Sequence, residues 1–384
     1  MEIILYKYNI SSTIEPKEWN KNLEKSQYAN FFQTVEYLNS QAFDENNYLR
    51  FITIEDEQEN IIGQLGIIIT QKHQAYSSKL FSKIFEMFSD LGKRGSWAGG
   101  PIIHEINEEK KIEVLKKIIL ALEEIGNNEG LTIIDGYSPH LDFSINERYI
   151  NEYKKSGFDV NNFLTFVTDL NEDLNYIWEK IHDSTRRDVN RAEKRGLIVK
   201  ELTTLDELDQ YFNLNKIWAK TKGIELQFSA HYKENYWNCL KSNIEKLFLA
   251  YEDNELVSSH RLGCFNKIAF SHKITNSYSK PTSLGGPLLT WFAIKWAKEN
   301  GIRYYDYSGG QAPSKSDDEQ RKYSEQWDSL LNYKRKWGGS EYPYYHFVKI
   351  IHPFKYKMFR LLTKPDWTYR DYKRRHFKRP KAEN

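Results

Sequence analysis

One order of predicted elements occurs twice in this chain, and it limits the available folds more than any single motif does. In the first half, Leu49 to Glu55 and Ile61 to Thr70 read as two strands joined by the polar turn Asp56 to Asn60. A glycine-rich loop into a strand follows (Arg94 to Ile103), then a helix with apolar residues at Ile112, Leu115, Ile118, Ile119, Leu122 and Ile125, then the strand Leu131 to Asp135. In the second half, Leu247 to Tyr251 and Leu256 to Gly263 form the hairpin and Ile268 to Thr275 adds a strand. The stretch Leu284 to Gly310 then supplies the late helix and strand, with Leu131–Gly136 matching Ile302–Tyr307 in order and character. Two copies of an α+β unit are the simplest reading.

At 384 residues the chain is long for one core and comfortable for two. The boundary is expected near Phe158 to Asn162, giving domains 1–158 and 159–350 and a tail 351–384. The first strand is expected at Ile3 to Tyr8, and short helices at Pro16 to Leu23, Val35 to Ser40 and Lys79 to Leu91. No segment approaches the roughly 20 apolar residues of a membrane span. The opening MEIILYKYNISST lacks the basic region and cleavage site of a signal peptide. Two cysteines, Cys239 and Cys264, make neither a disulfide framework nor a metal box, so the expected setting is the cytoplasm.

The overall charge of +2 divides unevenly, into +8 on Phe354–Asn384 and −6 on the remainder. That tail interleaves aromatics with basic residues, which suits a solvated tail stapled to the body, an RNA, or an anionic membrane surface. Nothing points to DNA.

The candidate chemistry gathers around Leu284–Gly310. Pro287 just inside the helix and Gly301 just past its end are expected punctuation, and Leu288, Trp291, Phe292, Lys295 and Trp296 form a face for a sheet. A glycine-rich turn at a helix N-terminus presents backbone N–H groups to phosphate or an oxyanion, so Ser283, Gly285 and Gly286 are donor-binding candidates. The strand beside it brings in Asp306 and Tyr307 as acid–base groups. A second feature is the basic helix Asp183 to Gly196, with Ser184 as N-cap and Gly196 as stop. Its Arg187, Arg191 and Lys194 share one side, as a solvated face or a phosphate clamp. The ten histidines have no ligand spacing, so no metal site is expected; His260 and His272 fall on two strands of one hairpin.

Five motifs in order carry a resemblance: Phe32-Gln33; Gly99-Gly100-Pro101-Ile102-Ile103; Arg186 to Gly196; Gly285–Leu289 with Asp306–Gly310; and Leu331-Asn332-Tyr333-Lys334-Arg335-Lys336-Trp337-Gly338. Together, over roughly residues 30 to 345, they resemble the Fem-type peptidoglycan interpeptide-bridge aminoacyltransferases and the related BioF2-like acetyltransferases, both of the GCN5-related N-acetyltransferase (GNAT) superfamily. The resemblance implies two tandem GNAT-like domains of mixed, largely antiparallel sheets flanked by helices. The implied reaction is amide formation on an amine of a cell-envelope or glycan precursor. Arg186–Gly196 resembles the family's basic helix, and Tyr333-Lys334 its "FK" pair. On this reading Lys334, Asp306 and Tyr307 are catalytic, and Arg187, Arg191, His104 and Tyr333 meet a phosphate-bearing or nucleotide-sugar acceptor.

Two departures bear on substrates. His104 stands where the Fem pattern often has an acid, and Lys280–Gly286 does not spell the usual coenzyme A pyrophosphate loop, which favours aminoacyl-tRNA over acyl-CoA as donor. Neither would be a tightly bound cofactor. Between Ala312 and Tyr333 only a short polar helix fits, with no long helical arm. Two other readings stay open: a coenzyme-A-dependent N-acetyltransferase for an amino sugar, and a non-catalytic RNA-binding or scaffold module.

Overall fold

A computed structural model describes residues 6–42, 46–71, 88–104, 107–221, 226, 228–277, 284–311 and 329–363. Ser283, most of the expected helix Lys79–Leu91, the polar helix after Ala312 and the tail beyond residue 363 lie outside the described residues. The chain is mixed α and β and forms two compact units. One is built from residues 1–161, 229–236 and 344–369, the other from 162–228, 237–343 and 370–384.

The first unit contains β1 (Lys7–Ser11), α1 (Pro16–Leu23), α2 (Val35–Gln41), β2 (Asn47–Glu55), β3 (Ile61–Thr70), β4 (Arg94–Trp97), β5 (Ile102–Ile103), α3 (Glu108–Asn128), β6 (Ile133–Tyr137) and α4 (Glu147–Lys155). The glycine-rich segment from Arg94 is itself a strand, paired on both edges, rather than a loop leading to one. Asn107 starts α3 by accepting from the Lys110 amide at 3.2 Å, and Glu108 and Glu109 sit in its first turn. All six expected apolar positions of α3 are buried against β2, β3 and β6, each contributing about 2 kcal/mol of transfer free energy.

The second unit begins with β7 (Asp159–Asp169), α5 (Leu174–Lys180), α6 (Asp183–Lys194), β8 (Ile198–Glu201) and α7 (Leu205–Thr221); α8 (Ala230–Lys241) follows, its residues up to Tyr236 belonging to the first unit. It continues with β9 (Glu245–Glu252), β10 (Glu255–Phe265), β11 (Ile268–Asn276), α9 (Gly285–Glu299), β12 (Tyr304–Gln311) and a helix 329–335, α10. Strand β13 (Ser340–Ile350) and a helix 353–363, α11, close the described chain.

Strand pairing repeats. In the first unit β1, β2, β3 and β4 are successively antiparallel, β6 lies parallel to β4, and residues His346–Ile350 of β13 run antiparallel to β6. In the second, β8, β9, β10 and β11 are antiparallel in turn, β12 lies parallel to β11, and β7 runs antiparallel to β12. In both, the parallel pair is the one joined by a helix, α3 or α9, as a crossover requires. In the first unit that last strand comes from a distant stretch of the sequence, residues 344 onward.

Two local expectations need correction. His182, not Ser184, caps α6: its Nδ1 accepts from the Ser184 amide at 3.2 Å, because the helix starts two residues earlier and Asp183 takes the first position. Helix α9 does not bury a single face. Phe292 and Trp296 pack on Phe248 of β9, while Trp291 meets Trp178 of α5, and Leu289, Ala293, Ile294 and Ala297 are buried too. A helix covered on several sides is apolar nearly all round.

The face of the second sheet that α7 covers buries an ion pair, Arg261 with Glu245, and Glu245 has no exposure at all. Burial pushes the Glu245 carboxyl up, but the charge and hydrogen bonds of Arg261, with help from His272, hold it down at about 2. A folded pKa below the unfolded 4.5 makes the contribution fully present above that value and lost as pH falls towards 2. Denaturant titrations should therefore show about 3 kcal/mol of stability disappearing across that window. Arg261→Met should cost about 3–5 kcal/mol at neutral pH and remove that acid-side loss. A midpoint unchanged by the substitution would contradict this account.

Candidate active site

In each unit the third residue of the parallel strand is a buried aspartate: Asp135 on β6, opposite Ser96, and Asp306 on β12, opposite Phe270. Their surroundings differ. Asp135 is clamped by Arg94 through a bidentate pair and by His346 Nε2 at 2.8 Å. Burial raises its carboxyl, but these two partners reverse the shift and hold it below the ordinary range. The pairing of β6 with β13 runs without a break. This acid already has internal partners.

Asp306 sits where the ladder breaks. It accepts from Thr165 Oγ1 at 2.5 Å and from the Ser308 amide at 2.6 Å. Between Asp306 and Gly309 the register against β7 shifts, and Ser308 takes a positive φ of 59°. A non-glycine residue held in the left-handed region is strained and marks a place where geometry is over-determined. The Ser308 hydroxyl donates to the Ser271 carbonyl at 2.7 Å. Parallel pairing of β11 with β12 stops at Phe270 and Asp306, although both strands continue, β11 to Asn276 and β12 to Gln311. The bulge parts the two strands and leaves facing backbone donors and acceptors without a ladder, a seat for an extended ligand with amide groups.

Lys334, one residue before the end of α10, reaches this bulge, its Nζ donating to the Gly309 carbonyl at 3.3 Å. Loss of water pulls its ammonium down to about 8, and the nearby Asp306 carboxylate opposes that shift without cancelling it. The turn after α10 fixes the lysine. Trp337 N–H donates to the Lys334 carbonyl at 3.0 Å, and Gly338 has φ 77°. A Cβ at Gly338 would lie 2.6 Å from the Lys180 carbonyl oxygen, so glycine is required there. Tyr307 is buried, with its hydroxyl 3.0 Å from Thr168 Oγ1 and its ring stacked on Trp337. Burial raises its pKa, so it stays a neutral hydroxyl. Tyr333 is 37% exposed at the edge of the same group.

Gly285 and Gly286 open α9, and no side chain caps that end. A Cβ at Gly285 would come within 2.5 Å of Ser258 Cβ, so close packing on β10 already demands a glycine there. Arg187 and Arg191 lie exposed on α6; Arg191 is 3.6 Å from Asp188. His104 belongs to the first unit. Its Nε2 is 3.4 Å from Gln64 Oε1, its Nδ1 has no partner among the described residues, and burial pulls its pKa down to about 4. His260 and His272 do not come together. The first bonds Ser271 Oγ at 2.9 Å, while the second turns to Glu245 at 3.9 Å. They occupy opposite faces of the sheet because His272 is the extra residue of a bulge, where the pairing steps from Arg261–Lys273 to Leu262–Ser271 and alternation is broken.

Sequence reasoning missed Ser308, Thr165 and the Ser271 carbonyl. The run Ser308-Gly309-Gly310 was the available signal, since serine before two glycines fits a left-handed turn position better than a strand.

Residues 180–321 match the family model for the acetyltransferase (GNAT) domain. Among solved structures the chain is similar to FemX, with a TM-score of 0.65 at 14% identity over 91% of this chain and 99% of that one. It is similar to L-PGS from Bacillus licheniformis, with a TM-score of 0.52 at 13% identity over 91% and 95% of the two chains. A tandem GNAT protein from the clavulanic acid biosynthesis pathway gives 0.54 at 10% identity over 90% and 99%. At such identities the likeness is one of fold. No curated protein sequence matches the chain. The GNAT domain match lies over the unit that carries the broken ladder, and the fold is that of tandem GNAT proteins, as the Fem-type resemblance implied; together they support an acyltransferase.

Proposed function

We propose that the second unit transfers an acyl or aminoacyl group to an amine of a cell-envelope or glycan precursor, at the bulge carrying Asp306, Ser308 and Lys334. The observation that carries this is the parting of β11 and β12 beside a buried acid and a lysine whose ammonium is pulled down to about 8. The equivalent acid of the first unit, tied to Arg94 and His346, leaves no such opening.

Amide formation joins the amine nitrogen to the acyl carbon and breaks the bond to the donor's sulfur or ribose oxygen, with the amine proton ending on that leaving group. The backbone groups of β11 and β12 suit the amide-bearing arm of an acyl-CoA. The uncapped start of α9 at Gly285-Gly286 suits donor phosphate. Lys334 then supplies positive charge where the carbonyl oxygen becomes an oxyanion. Thr165 and Ser308 keep Asp306 a fixed acceptor that orients the lysine and the incoming amine. Arg187 and Arg191, exposed on α6, are the proposed clamp for a phosphate-bearing acceptor, with Tyr333 at the site's edge. Tyr307 holds Trp337, and through it the turn behind Lys334.

The strand opening favours acyl-CoA, whereas the departure from the usual pyrophosphate loop in the sequence favours aminoacyl-tRNA. Separate incubations with acetyl-CoA and with charged tRNA, following thiol release and deacylation respectively, decide the donor. Lys334→Met should lower kcat more than about 50-fold with KM nearly unchanged, as expected when about 3 kcal/mol is lost in the transition state alone. A rise in KM alone, or no effect, would remove Lys334 from the chemistry. Because the charged lysine is the working form, kcat should fall as pH rises through about 8, and Lys334→Arg should move that fall upward. A kcat that climbs through the same range would make the neutral amine the active form.

A further inference from the structure

On the face of β10 and β11 that α7 covers, four side chains form a polar quartet. Ser259 pairs with Thr275 and Arg261 with Lys273 across the two strands, so all four point the same way. Three have partners. Arg261 is held by Glu245, Thr275 Oγ1 donates to Asn215 Oδ1 at 3.1 Å, and Lys273 Nζ lies 4.8 Å from the centre of the Trp218 ring. Asn215 and Trp218 are one turn apart on α7, which brings both over the quartet. The fourth, Ser259, is 1% exposed, and its hydroxyl has no hydrogen-bond partner among the described residues. A buried hydroxyl left unpaired is costly, and nothing in the packing requires one.

Glu245 is ion-paired with Arg261, while among the described residues Lys273 has no carboxylate within ion-pair distance. Ser259 and Lys273 are diagonal neighbours across β10 and β11, and one hydroxyl with one cation matches a singly charged carboxylate, which accepts from both. The position also fits. Lys273 lies two residues beyond Ser271, whose carbonyl Ser308 holds where β11 and β12 part.

We propose that Ser259 and Lys273 bind a carboxylate of the acceptor, making the accepted amine part of an amino acid or a peptide end. This rests on the acyl-transfer reading for its role, though not for its existence. It is tested with L-lysine and L-lysinamide, which differ in the carboxylate, with D-glucosamine as an amine lacking one and inorganic phosphate as a competing anion. Binding is read by saturation-transfer NMR, and acyl transfer separately by thiol release from acetyl-CoA or by deacylation of charged tRNA.

L-lysine should bind about tenfold more tightly than L-lysinamide, and Lys273→Met should erase that difference. Ser259→Ala should weaken L-lysine severalfold while leaving the thermal midpoint unchanged or higher, since it removes only an unpaired hydroxyl. A purely structural serine would leave L-lysine binding untouched. Preference for the free acid without turnover by either donor would uphold the subsite and defeat the transfer reading. Equal binding of acid and amide, tightest binding by D-glucosamine, or displacement of L-lysine by phosphate at lower concentration than by acetate would overturn the carboxylate assignment.

Discussion

The working geometry depends on one interrupted ladder. Parallel pairing between β11 and β12 runs for three residue pairs and stops at Phe270 and Asp306, because Ser308 is turned into the left-handed region and its hydroxyl occupies the Ser271 carbonyl. Had pairing continued, the backbone donors and acceptors beyond that point would be consumed and no extended ligand could enter. Asp306 stabilises the break by accepting the Ser308 amide. The same few atoms open the site and place an acid within it. Lys334 reaches the bulge from a helix end held by a turn in which Gly338 cannot be replaced without a clash against the Lys180 backbone.

The repeat gives an internal control. Both units present a buried aspartate at the same position of the same strand, after the same crossover. In the first, Arg94 and His346 engage that carboxylate and β6 pairs with β13 without a shift. In the second, hydroxyl and amide donors take the place of charged ones, and the nearby cation is a lysine that has lost much of its water. A carboxylate bound to an arginine fork is a structural part. One held by a hydroxyl and an amide beside a partly desolvated lysine is the one we propose for chemistry.

Much of the fold was legible because local patterns agreed with tertiary demands. The period of Ile112 to Ile125 and the paired strands of the hairpins Leu49–Thr70 and Leu247–Gly263 each led to the element observed. Helix α7 was harder to see, because Glu207 and Asn215 take buried positions and interrupt its apolar stripe. Strand β13 carries Pro343, which argues against a strand, and its pairing with β6 links residues about two hundred apart. No local signal specifies that register. At the site, Asp306, Tyr307 and Lys334 were reachable through motif and resemblance. The bulge was not, since the left-handed turn at Ser308 follows from the tertiary contacts of Asp306 and Ser271 rather than from its own residue type.

Hydrogen–deuterium exchange with and without donor tests the central claim most directly. Acetyl-CoA or charged tRNA, whichever is the substrate, should slow exchange in residues 271–277 of and beyond β11, 307–311 of β12 and the first turn of α9. The corresponding strands of the first unit, 94–97 and 133–137, should exchange at unchanged rates. Protection confined to the first unit, or absent from the second with both donors, would contradict an acyl-transfer site at the break in the second sheet.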